Sequence, residues 1–237
     1  MDPDETKSDP ELATGLAEWL SDRRGLRHVT VSGLHRPSAG YSSETLIVDV
    51  TWSSDDLPHH GSLVIRMAPT GAGTFPAYDL VPQWQAQEAV AAAGVPVADP
   101  EVEVDPRWLG APFMVMPKVE GHIVGALAHR DRWLLGLEEA DRGRLYRNFI
   151  ATLAAVHRAD TDTAPDVPRR DNLAELDFWL RYLDWSSSGS PVGALVDALA
   201  WCRRHRPASE PAGSVLWGDA RFENTVFGDD LQPRAVL

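Results

Sequence analysis

Apolar residues recur at helical spacing from the start of the chain, with Leu12, Leu16, Trp19 and Leu20 on one face of a 3.6-residue period. Ahead of them, Ser8-Asp9-Pro10-Glu11 combines a capping residue, a first-turn proline and a glutamate three positions after the serine. The pattern predicts an amphipathic helix over Pro10–Arg24, ended by Gly25. The period then shortens. Thr45–Trp52 is rich in β-branched residues and Ser62–Ala68 is a short apolar run, so both read as strands, with Ser53–Gly61 as the turn between them. Leu80–Ala93 reads as a helix stopped by Gly94 and Pro96, and Glu101–Asp105 and Phe113–Lys118 as strands around a turn at Pro106–Gly110. Beyond Gly121 the pattern turns helical. Asp141–Ala159 carries Leu145, Phe149, Leu153 and Val156 on one stripe, and further helices are predicted over Leu173–Leu183 and Val192–Arg204. A proline-rich connection then leads to short strands at Ser214–Trp217, Thr225–Phe227 and Arg234–Leu237. The fold class is α+β: an antiparallel-sheet lobe over residues 1–117, followed by a mainly helical lobe over 118–237.

Composition narrows the function classes. The 237 residues suffice for a real core, and a net charge of −13 opposes a nucleic-acid or anionic-membrane surface. A single cysteine, Cys202, forms no intramolecular disulfide and suits a reducing compartment. Met1–Glu11 has neither a basic nor an apolar segment of the kind a signal peptide needs, and the longest apolar run, Ala89–Ala98, is too short to span a bilayer. A cytoplasmic protein is expected.

Three stretches carry candidate chemistry. Leu216–Asn224 sets Asp219 and Asn224 five apart on a polar loop between two short apolar strands. Phosphoryl transfer uses such a pair, a carboxylate to orient a hydroxyl and take its proton and an amide oxygen to hold Mg²⁺. Taken alone, the same residues also read as a turn followed by a loop cap. Ser38–Thr45 is a small polar segment containing Gly40, read either as a phosphate-covering loop or as a plain hairpin turn. Arg66 sits in the apolar run Leu63-Val64-Ile65-Arg66-Met67, where a lone cation needs a partner: a phosphate, a structural carboxylate, or solvent on an edge strand. His157, the His59-His60 pair beside Asp55-Asp56, and Cys202 are read as structural: a core histidine, an exposed turn and a buried helix residue.

In this order, the stretches PSAGYSSETL, LVIRMAP, FPAYDL, GVPVADP, LGAPFMVMPKVEG, LAAVH and VLWGDARFENTVF resemble the aminoglycoside phosphotransferase family, a branch of the protein-kinase-like superfamily. They are most similar to the subgroup associated with acyl-CoA dehydrogenases. The resemblance runs from about Pro37 to the last residue. It implies a protein-kinase-like bilobal fold and an ATP-dependent, Mg²⁺-assisted transfer of the γ-phosphate to a hydroxyl of a small molecule. By position it makes Asp219 the catalytic base and Asn224 a Mg²⁺ ligand, with Arg66 the phosphate-binding cation. Gly40, Tyr41, Ser42 and Ser43 match the nucleotide-positioning loop. Met116, Pro117, Lys118 and Val119 match the hinge whose backbone bonds adenine.

The sequence departs from the family pattern in three places. Trp217 stands where the wider family has a histidine before Gly-Asp. The helix acid that orients the phosphate-binding cation aligns with Gln83, with Glu88 further along the helix. The family's second metal-binding acid lies just past the strand ending at Leu237, so the resemblance implies a C-terminally incomplete lobe. The rival expectation is therefore a catalytically impaired nucleotide-binding or scaffold protein of the same fold.

Overall fold

The structure, a computed structural model, describes residues 7–37, 43–54, 57–69, 73–190, 192–209 and 213–237. Helix α1 (Asp9–Arg24) starts where its capping sequence directs: the Glu11 carboxylate accepts from the Ser8 N–H at 2.8 Å and the Ser8 hydroxyl at 2.6 Å. Gly25 ends it at φ 63°, a left-handed conformation that glycine adopts without a Cβ clash. The helix buries Leu12, Leu16, Trp19 and Leu20 against one face of a five-stranded sheet.

That sheet is antiparallel throughout and ordered β1-β2-β3-β5-β4, from β1 (Arg27–His35), β2 (Glu44–Ser54), β3 (Leu57–Met67), β4 (Glu101–Glu103) and β5 (Phe113–Pro117). Its α1 face carries Leu46, Val48, Val50, Leu63, Ile65, Met67, Phe113 and Val115. Glu103 is only 7% exposed in this layer, accepting from Trp19 Nε1 at 3.0 Å and Arg23 Nε at 3.0 Å. Burial pushes its carboxyl up, but bonds from the Asp105 N–H, Trp19 and Arg23 outweigh that and hold it below the usual carboxylate range.

The opposite face carries Val64, Met114 and Met116, which pack with Leu80 and Trp84 of α2 (Leu80–Ala92) and with Val226 and Ala235 from the far end of the chain. The second half contains α3 (Arg132–Gly136), α4 (Glu139–Val156), α5 (Asn172–Ser186) and α6 (Gly193–Arg204). It ends in a two-stranded sheet of β6 (Thr225–Phe227) and β7 (Pro233–Val236). That small sheet is tied to the first half at Pro96–Val97 and to the start of the second half at His122. Val236 pairs with Val97, its N–H reaching Pro96 O at 2.9 Å, and His122 exchanges two 2.8 Å backbone bonds with Phe227. Only glycine fits at position 121, because a Cβ there would run into the Phe227 carbonyl.

The sheet and helices match an antiparallel-sheet, kinase-like fold, with three differences from the sequence reading. Residues 27–35 form a strand that the pattern missed, because as an edge strand β1 is largely exposed and its alternation is diluted by polar residues. The turn expected at Ser53–Gly61 is mostly strand: pairing continues through Trp52↔His59 to Ser54↔Leu57, which moves His59 and His60 into β3. Ser214–Trp217 makes no ladder; it is extended chain whose Val215 is buried between α2 and α4 neighbours. Among the described residues no helix is long and apolar enough to cross a membrane.

Candidate active site

The loop between α6 and β6 leans on an aromatic cushion. Phe222 packs edge-on to Phe149 of α4 at 4.8 Å and to Phe227 at 5.6 Å, and Phe149 also meets Trp217 at 5.7 Å. Trp217 Nε1 donates to the Leu237 carbonyl at 3.3 Å, so the residue that replaces the family's histidine anchors the loop to the end of β7. Gly218 and Asp219 then form an exposed turn, and Phe222–Asn224 a single 3₁₀ turn closed by the Asn224 N–H on Arg221 O at 3.0 Å. This turn brings together two of the residues picked from sequence. Asn224 Nδ2 donates to the Asp219 carbonyl at 2.8 Å and to Asp219 Oδ2 at 3.0 Å. With the amide nitrogen committed, Oδ1 is the atom Asn224 offers to a cation.

Arg221 escaped the sequence reading. Its guanidinium donates to Asp219 Oδ2 at 2.8 Å and to Glu223 Oε2 at 2.9 Å. A signal was present: a cation two residues after the candidate base and two before an acid.

Arg66 lies in β3 on the sheet face turned away from α1, directly opposite Thr45 on β2 and Met114 on β5. It is half-buried, and burial pushes its guanidinium down from its ordinary value. Among the described residues it has no carboxylate partner. Gln83 and Glu88 are both exposed, and Gln83 Nε2 turns back on its own helix to the Asp79 carbonyl at 3.1 Å. Neither residue orients Arg66, so that sequence alignment is corrected.

The expected hinge, Met116–Val119, has part of its backbone committed to the sheet. Lys118 donates its N–H to Ser62 O at 2.9 Å, and the alternation of an antiparallel ladder turns the Met116 polar groups toward Val64. Pro117 has no N–H. By the same alternation its carbonyl faces away from β3, beyond the last β4 partner at Val115. The side chains of Val64 and Met116 give this edge an apolar floor.

Ser43 sits at a bend entering β2, while Gly40, Tyr41 and Ser42 lie outside the described residues. On either side of that segment, Arg36 pairs with Asp9 at 2.7 Å and Glu44 at 3.3 Å. His157, expected in the core, is exposed at the C-terminus of α4, and Cys202, expected to be buried, is exposed on α6, a helix that buries none of its residues. Among the described residues no three His, Cys, Asp or Glu side chains cluster as a metal cage.

The model of the phosphotransferase enzyme family matches residues 35–237, which takes in every element of this site. The chain belongs to that family. Within it, the chain is similar to acyl-CoA dehydrogenase family member 11 of Gallus gallus, with 27% identity over 173 residues, and of Mus musculus, with 26% over 169. Each match covers 69% of this chain, and the chain spans about a fifth (21%) of those relatives' length. A solved structure from Ralstonia eutropha JMP134, assigned as an aminoglycoside phosphotransferase, superposes with a TM-score of 0.62 at 21% identity. That match covers 94% of this chain and 63% of the other and bears on the fold. The family match and the fold agree.

Proposed function

We propose that the protein transfers the γ-phosphate of ATP to a hydroxyl group of a small molecule, in a cleft between a lobe of residues 1–117 and a lobe of residues 118–237. The observation that carries this reading is Arg66: a half-buried cation with no carboxylate among the described residues, on the face toward the other lobe. A guanidinium so placed gains from a bound phosphate the partner it lacks. Adenine would meet backbone groups of Met116–Val119, the Pro117 carbonyl among them, over Val64 and Met116, with Ser43 toward the phosphates.

Asp219 accepts the proton of the acceptor hydroxyl as its oxygen bonds to the γ-phosphorus. The bond from that phosphorus to the bridging oxygen breaks, and its electron pair leaves on ADP. Asn224 Oδ1 suits Mg²⁺, an ion held largely by substrate phosphates and waters, which when bound offsets charge on those phosphates. The lone cysteine and acidic surface fit a cytoplasmic setting.

The test is Asp219→Ala with radiolabelled Mg·ATP and panels of small hydroxyl compounds. Transfer should fall by about 10²–10⁴-fold, the scale of a lost general base, with ATP binding retained. Full turnover in this variant would refute the assignment.

A further inference from the structure

Asp219 stands on an exposed turn, its side chain 63% accessible, so no core packing sets its rotamer. What holds it is a short chain of side-chain bonds within the loop. Arg221 Nη2 and Asn224 Nδ2 both donate to the same oxygen, Oδ2, at 2.8 and 3.0 Å. Neither donates to Oδ1. The other end of the guanidinium is fastened to Glu223, whose side chain is 24% accessible and gives the steadier anchor.

We propose that Arg221 is a positioning residue for Asp219, with Glu223 as its second anchor. The proposal rests on the reading of Asp219 as the base. Two donors on Oδ2 fix the plane of the carboxylate and leave Oδ1 as the oxygen that takes the hydroxyl proton. The guanidinium also places a positive charge beside a carboxylate that must work next to a triphosphate. Glu223 matters because a free arginine here would swing to the nearest phosphate. Held at both ends, its planar fork stays with the base, which the single point charge of a lysine reproduces only in part.

The role separates from phosphate binding by kinetics. Release of labelled phosphate from Mg·ATP, with water as the acceptor, is followed in Arg221→Ala and Arg221→Lys. The expected result for Arg221→Ala is a fall in kcat of about 10- to 100-fold, with KM for ATP within about twofold of wild type. Millimolar guanidinium should restore turnover to Arg221→Ala but not to Asp219→Ala, and lysine should recover part of it. An unchanged kcat, or a raised KM at unchanged kcat, would overturn the proposal.

A second measurement needs no turnover. In ¹⁵N-arginine-labelled protein, rotation of the Arg221 Nη groups should be slow in wild type and fast in Asp219→Ala; fast rotation in wild type would overturn the proposal. If wild type releases no phosphate, the function proposed above fails, and the labelling experiment still decides the role of Arg221.

Discussion

Arg66→Met separates what this side chain does for stability from what it does for binding. In the unliganded protein, the guanidinium lies half-buried between Thr45 and Met114 with no carboxylate among the described residues, and burial alone lowers its proton affinity. A partly desolvated, unpaired cation is unfavourable, and methionine has a similar length with no charge to desolvate. Because half-burial leaves the head partly solvated, the relief is about 1–2 kcal/mol rather than the several of a full burial. For a protein of this size that is a rise in Tm of about 2–8 °C. The same change removes a charged contact to phosphate, about 1.5–3 kcal/mol, and should weaken ATP about 10- to 150-fold. Differential scanning fluorimetry without nucleotide and calorimetric titration with Mg·ATP read the two effects separately. A lower Tm in Arg66→Met would mean the guanidinium has a stabilising partner, and unchanged ATP affinity would remove it from the phosphate site.

Two further outcomes test the frame that holds the site. Glu103→Gln should destabilise by about 1–3 kcal/mol at pH 7 in urea unfolding, because the Trp19 and Arg23 donors lose a charged acceptor. The carboxyl of Glu103 is depressed in the folded state, so its contribution is complete above the unfolded value of about 4.3 and is lost as pH falls through the lower folded value. The gap between wild type and variant should therefore close below about pH 4, and a constant gap would contradict the assignment. Gly121→Ala should cost about 1–3 kcal/mol by overpacking against the Phe227 carbonyl, with lost amide-exchange protection at His122 and Phe227; unchanged protection would show that the close approach is unimportant.

The elements that bury a continuous apolar stripe were legible in the sequence, and those defined by backbone pairing at the surface were not. The α1 stripe and its capping residues, the α2 stop at Gly94-Pro96 and the Leu145/Phe149/Val156 face of α4 all follow from periodicity, because each stripe is core. β1 and the outer half of the β2–β3 hairpin have polar residues facing water, where side-chain type places no demand on the ladder. Ser214–Trp217 failed in the opposite sense: Val215 and Trp217 serve packing, not pairing, and Leu216 is exposed. At the site, the Asp219–Asn224 spacing was readable because a single 3₁₀ turn converts it directly into contact. The Arg221 bridge left a weaker signal, a cation two residues from each of two acids, a spacing that fits two ordinary surface ion pairs as well as a clamp. Gln83 misled because helical alignment gives a position along α2 but not the direction the side chain takes, and here it bonds its own helix.

The two halves of the site depend on each other through a single apolar contact zone. Arg66 and Met114 are neighbours in the sheet, and Met114 is buried against Val226 and Ala235, the strand pair that begins one residue after Asn224. Arg66 and the loop that carries Asp219 are thus referenced to the same methionine. On the flank, α2 is tied to the second half twice over. Gln85 Nε2 donates to Asp166 Oδ2 at 2.6 Å and Gln85 Oε1 accepts from the Asp166 N–H at 2.8 Å, while Val90 and Val95 pack with Val156 and Val236. α2 thus contacts both the sheet, through Leu80 and Trp84, and the second half, through Gln85, Val90 and the following Val95. Under the proposed phosphoryl transfer, alignment of Arg66 with Asp219 would depend on packing at Met114, Val226 and Ala235, residues that would touch neither substrate.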